Sequence, residues 1–154
     1  MLQRKQTLFM LLAVVLSVVC LSMPLGVFTP TSLGSELIVY NLLVTGLAAD
    51  GGAFFGICPL FVILVTTATI VMMNIFAYKN RPLQAKVCSV CAFLLLGWYA
   101  SAAVYWFTLQ PEGYAFTPSW TLFLPLASFI LLLRARAAIL ADERLVKAAD
   151  RIRP

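Results

Sequence analysis

Cys88 and Cys91 stand three residues apart, a C-x-x-C spacing that can carry redox or metal chemistry. A structural zinc site needs four ligands, and two more are not in view. In a reducing compartment the pair reads as two small apolar residues on one helix face. Cys20 and Cys58 fall near the outer ends of the first two apolar blocks, where an oxidising side permits a disulfide. Spacing alone does not bring their side chains together. The chain has no histidine, so the commonest general base and metal ligand is missing. All six acids fall in connections or in the tail, whereas pumps and coupled transporters need ionisable groups facing a bundle interior. There is no Gly-rich phosphate loop and no nucleophile motif. The expectation is a chain that is not an enzyme and takes no cofactor and no metal.

The remaining groups able to do chemistry are charges, and their placement is ordered. Lys79, Arg81 and Lys86 form a basic cluster with Asn80 and Gln84 in the middle of the chain. Asp142, Glu143, Arg144, Lys147, Asp150 and Arg151 form a mixed-charge tail. Basic residues alone would set topology and attract anionic headgroups, each worth about 1 kcal/mol near the surface. The tail acids exceed what orientation requires. Together these residues make a candidate docking face for a membrane or cytoplasmic protein partner. The net charge of +5 is explained by this distribution, and nucleic acid is not expected as a partner.

The elements that position these groups are apolar. Of 154 residues, 62% are hydrophobic and 11% charged, where soluble domains carry about 25% charged. The fold class expected is membrane all-α, a single four-transmembrane-helix bundle with helices at about 7–24, 57–78, 87–109 and 120–140. A cytoplasmic tail helix runs on to about 152. About 20 apolar residues cross a bilayer as a helix. The eleven Lys and Arg lie at Arg4–Lys5, in the central turn and from Arg134 to Arg153. The other two connections carry only Glu36, Asp50 and Glu112. The positive-inside rule then places both termini and the central turn in the cytoplasm and two loops outside. The first apolar block reads as a retained span, not a cleaved signal, because it lacks a small-x-small site before a polar chain.

Within the central turn, Pro82 is expected to interrupt helix and to bias Arg81 away from helical geometry. The first outer loop contains Leu37–Val44, β-branched and bounded by Gly34 and Gly46, which reads as strand more than as an interfacial helix. Val27-Phe28-Thr29 and Ala53-Phe54-Phe55 are candidate pairing partners, giving a small outer β cap. The second helix carries Thr66, Thr67, Thr69 and Asn74; the hydroxyls suit helix hydrogen bonds, and Asn74, near the inner end, reads as solvated. Gly97 and Ser101 give a small-xxx-small spacing. Tyr105, Trp106 and Trp120 suit an outer aromatic belt, and Pro125 suggests a bend near the start of the fourth helix. In the tail, Glu143 precedes Lys147 by four, the favourable order for an ion pair.

Three segments together resemble a known family: Met1-Leu2-Gln3-Arg4-Lys5-Gln6-Thr7, Tyr78-Lys79-Asn80-Arg81-Pro82-Leu83-Gln84, and Arg136-Ala137-Ala138-Ile139 with Asp142–Lys147 and Asp150–Arg153. The chain is similar to small four-span inner-membrane proteins of Bacteroidota, catalogued as a domain of unknown function. The resemblance covers essentially the whole chain and implies a bacterial inner membrane. It implies no activity, ligand or catalytic residue. The reading that follows is a non-enzymatic accessory or scaffold subunit of a membrane assembly. The alternative is a small carrier or lipid-binding protein whose ligand sits under the outer β cap. A polar cavity between the helices favours the carrier; a solid core with an exposed apolar stripe favours the subunit.

Overall fold

The computed structural model describes residues 2–31, 34–46, 52–77, 80–109 and 111–152. Four helices dominate: α1 (Leu2–Ser22), α2 (Cys58–Phe76), α3 (Arg81–Leu109) and α4 (Leu124–Ile152). One turn of 3-10 helix, Trp120–Phe123, leads into α4. All four are long and apolar enough to cross a membrane. They are apolar on every side, as membrane spans are: Leu64, Leu95, Leu132 and Ile139 fill the core, while Met73, Phe76, Phe93 and Phe107 are exposed around the outside.

α1 packs on α2 and α4, and α3 packs on the same two helices, closing a ring of four. Near the start of α1, Gln6 Nε2 donates to the Ala138 carbonyl midway along α4, 3.1 Å away, while Ala13 farther along α1 meets Ser128 earlier in α4, so these neighbours run antiparallel. Several polar residues of the helices turn inward and donate to backbone carbonyls there, while Thr69 stays exposed. Ser17 Oγ and Ser128 Oγ both donate to the Ala13 carbonyl, at 2.9 and 3.1 Å, tying α4 to α1. Thr67 Oγ1 donates to the Ile63 carbonyl of its own helix at 2.7 Å, and Thr69 to that of Val65. Polar groups closed on backbone carbonyls suit an interior without water.

Several expectations are corrected. Helix α3 begins at Arg81, not at about 87, and Pro82 is its second residue. The first helical turn has no intrahelical use for a proline N–H, so Pro82 starts the helix instead of interrupting it. The turn is correspondingly tight, with the Gln84 amide already bonded to the Asn80 carbonyl at 3.0 Å. Pro125 likewise occupies the first turn of α4, where no kink is required. Not corrected is the tail: helix α4 runs unbroken to Ile152, continuing the fourth helix as expected. Gly97 meets nothing within 4 Å where a Cβ would stand, so no helix among the described residues approaches closely at Gly97.

At one end of the bundle stands a five-stranded antiparallel sheet in the order β4-β3-β2-β1-β5. Its strands are β1 (Gly26–Pro30), β2 (Leu37–Val39), β3 (Val44–Thr45), β4 (Ala53–Phe54) and β5 (Tyr114–Pro118). The run Leu37–Val44 is a hairpin, not one strand: the Tyr40 amide bonds the Leu43 carbonyl at 2.9 Å and turns the chain. Strand β5 comes from the connection expected to be a plain loop. It pairs along the full length of β1, Gly26 opposite Pro118 and Pro30 opposite Tyr114. Gly26 lies against Phe116: a Cβ there would run into the Phe116 ring and sit 2.8 Å from the Thr117 carbonyl. The 29 residues of α3 make it roughly 43 Å long, against roughly 28 Å for the 19 of α2. The excess carries Tyr105, Trp106 and Leu109 up against the sheet.

Candidate functional site

The candidate docking residues lie at the bundle end opposite the sheet. There the α2–α3 turn is locked by two reciprocal bonds. Asn74 Nδ2 donates to the Gln84 carbonyl at 3.1 Å, and Gln84 Nε2 donates to the Asn74 carbonyl at 3.0 Å. Both side chains are buried, at 3% and 4% exposure. Gln84 is therefore withdrawn from the docking face, and Asn74 is not solvated. The cause is local: the last carbonyls of α2 need donors, and a glutamine one turn into α3 supplies one. Asn74 Nδ2 also lies 3.4 Å from Cys88 Sγ. Cys88 and Cys91 are both buried in the helix core.

The structure brings Arg81 to Asp142. Arg81 Nη1 lies 2.7 Å from Asp142 Oδ2, joining the start of α3 to the continuation of α4. The approach is ionic and falls outside hydrogen-bond alignment. The two side chains are 30% and 13% exposed, so the pair is shielded but not sealed. One turn on, Lys147 Nζ meets Glu143 Oε1 at 2.7 Å, the i,i+4 pair expected from the spacing. Asn80, Lys86, Arg144 and Lys147 are exposed. Lys79 lies outside the described residues, as do the side chains of Asp150 and Arg151. The described face is thus two acid–base pairs flanked by uncompensated positive charge at Lys86 and Arg144.

At the sheet end the structure assembles residues that spacing did not single out. Asn41, at the tip of the β2–β3 hairpin, is fully buried. It donates from Nδ2 to the Cys20 carbonyl at 2.7 Å and accepts at Oδ1 from Trp98 Nε1 at 3.1 Å. One asparagine thereby joins the cap to α1 and α3. Its signal in the sequence is a lone amide inside the apolar run Leu37–Val44. Tyr99 Oη donates to the Leu122 carbonyl, and Thr121 Oγ1 to that of Pro24. Cys20 and Cys58 are free thiols, not a disulfide. Trp106 stacks edge-on against Phe116 with ring centroids 4.1 Å apart, and Trp120 is exposed. Beneath the sheet lies a cavity of about 60 Å³ walled by apolar side chains, among them Phe28, Leu60 and Leu109.

A family model described as Domain of unknown function (DUF4293) matches residues 2–152. The chain belongs to that family. No curated protein matches it.

Proposed function

We propose that this member of the family is a non-enzymatic accessory or scaffold subunit of a bacterial inner-membrane assembly. Both termini and the Arg81–Asp142 end lie in the cytoplasm, and the sheet lies outside. The orientation rests on charge. The sheet-end connections carry no Lys or Arg, while those among the described residues lie toward the opposite end. The subunit role rests on one observation, the contrast between a closed interior and a patterned end. The buried amides and hydroxyls Asn41, Asn74, Gln84, Ser17, Thr67 and Ser128 each donate to another group of the chain, although Asn74 Oδ1 has no hydrogen-bond partner among the described residues. They are parts of the scaffold and are not turned toward a passing substrate. At the cytoplasmic end, by contrast, the Arg81–Asp142 pair fixes the start of α3 against the α4 continuation, Glu143 and Lys147 pair within α4, and cations beside them face outward. A partner with an acidic, structured surface fits that face.

The second reading, a carrier or lipid-binding protein, is favoured by the apolar cavity under the sheet. The readings separate on one experiment. The protein is purified in gentle detergent from cells holding wild type or Arg81→Glu, and the co-purifying proteins are compared. A partner held by wild type and lost from the variant at equal membrane level supports the subunit. Identical sets from both variants reject the docking face.

A further inference from the structure

The cavity beneath the sheet does not end at the sheet. On the outer flank of the bundle, between α3 and α4, runs an open groove of about 640 Å³. Ala102, Trp106 and Leu122 line both the groove and the cavity, so one thin wall of three side chains separates them. The groove opens sideways, onto the face that bears the exposed Phe107 and Phe123. The cavity lies inside, under Phe28 and Phe116.

We propose that groove and cavity together form a binding site for one acyl chain of a diacyl phospholipid. The shaft of the chain lies in the groove, and its methyl end enters the cavity as the partly exposed Trp106 side chain turns aside. Three observations select this occupant. First, the walls offer apolar contact almost throughout, and the Tyr99 hydroxyl on the groove wall is already engaged by the Leu122 carbonyl. A polar ligand would leave its own groups unpaired there. Second, the cavity is too small for a ring, since a benzene-binding cavity measures about 150 Å³, yet about 60 Å³ takes the slender end of a chain. Third, a transmembrane helix laid in the groove would cover it without filling the cavity behind it. A hydrocarbon chain fills both. The site lies at the opposite end of the bundle from the docking face, so it stands or falls independently of the subunit reading.

The test is native mass spectrometry of the full chain, delipidated in detergent and then exposed to phosphatidylethanolamine with sixteen-carbon chains. A parallel arm uses free palmitate. Wild type should retain one phospholipid per chain. Ala103→Trp fills the groove from an exposed position, so it leaves the core packing alone and should lower retention about tenfold. Ala102→Phe blocks the wall and should do the same; its melting curve shows whether the fold is kept. Gly97→Leu, on the open face of α3 away from the groove, should retain lipid as wild type does. The proposal is overturned if wild type retains no stoichiometric phospholipid, if palmitate alone is held, or if Ala103→Trp retains as much phospholipid as wild type.

Discussion

The indole N–H of Trp98 donates to Asn41 Oδ1 at 3.1 Å, and both side chains are fully buried. The first belongs to the middle of α3 and the second to a hairpin tip 57 residues earlier. The sheet is therefore not laid on the bundle but pinned into it. Asn41 reaches α1 as well, through the Cys20 carbonyl. An amide suits this place because it donates in one direction and accepts in the other.

Replacing Asn41 by Leu should destabilise the chain more than removal of a surface contact. It leaves the Trp98 N–H and the Cys20 carbonyl without their partner in a dry interior. Each unsatisfied buried group costs about 1–3 kcal/mol. Thermal unfolding in detergent measures the loss, and protease sensitivity of the sheet-end connections should rise in parallel. Trp98→Phe removes the donor and also leaves a cavity where the indole stood, so it too should lower the melting temperature. Equal melting temperatures for Asn41→Leu and wild type would refute the pin.

Asn74 and Gln84 should behave as a coupled pair. Each single change to Leu removes the donor to the other residue's backbone carbonyl and leaves the second bond to hold the turn alone. Asn74→Leu and Gln84→Leu should each destabilise by about 1–3 kcal/mol. The double variant should lose less than their sum, with a coupling of about 0.5–3 kcal/mol. A double-mutant cycle from denaturation curves checks this. Strict additivity would show that the two bonds do not lock the turn.

Gly26 should tolerate no side chain. Alanine there drives a Cβ into the Phe116 ring and, at 2.8 Å, into the Thr117 backbone carbonyl. The ring can turn away, but the carbonyl belongs to the paired strand β5. Gly26→Ala should therefore loosen the β1–β5 pairing, and adding Phe116→Ala should restore it only in part. Amide hydrogen exchange along Val27 and Thr117 reads the effect. Unchanged protection in Gly26→Ala would refute it.

The four apolar helices are legible in the sequence because length and hydropathy are local properties, summed over about twenty residues. The Glu143–Lys147 pair is legible for the same reason, being fixed by one turn of helix. Arg81 and Asp142 are also reachable, since antiparallel neighbours put both at one end. What escapes is what depends on a neighbour. Tyr114–Pro118 has two nearby prolines and little strand signal alone; it is a strand because β1 offers it a full edge. Asn74 looks solvated by its distance from the helix middle, yet the early start of α3 at Arg81 folds Gln84 over it. That early start follows from Pro82, whose effect reverses between helix interior and first turn. Asn41 and Trp98 are 57 residues apart, and no periodicity links them.

Arg81 and Asp142 allow the docking role to be separated from simple packing. Arg81→Glu sets two acids against each other at the start of α3, where 2.7 Å now separates opposite charges. The side chains are 30% and 13% exposed, so solvent screens much of the effect, and partly exposed pairs contribute about 0–1 kcal/mol. The melting temperature should therefore fall only slightly, and insertion should persist, because the other cations remain on that side. The reversed pair, Arg81→Glu with Asp142→Arg, restores attraction between the same two positions. If the residues serve packing alone, the reversed pair should behave as wild type in stability and in complex formation. If they shape a docking face, it should regain the stability while the partner stays lost, because the partner meets the charges in inverted order. Truncation after Leu140 removes the α4 continuation with Asp142 and Glu143 and should lose the partner as well. Retention of the same partners by the reversed pair and by the truncated chain, at normal membrane level, would reduce these residues to topology alone.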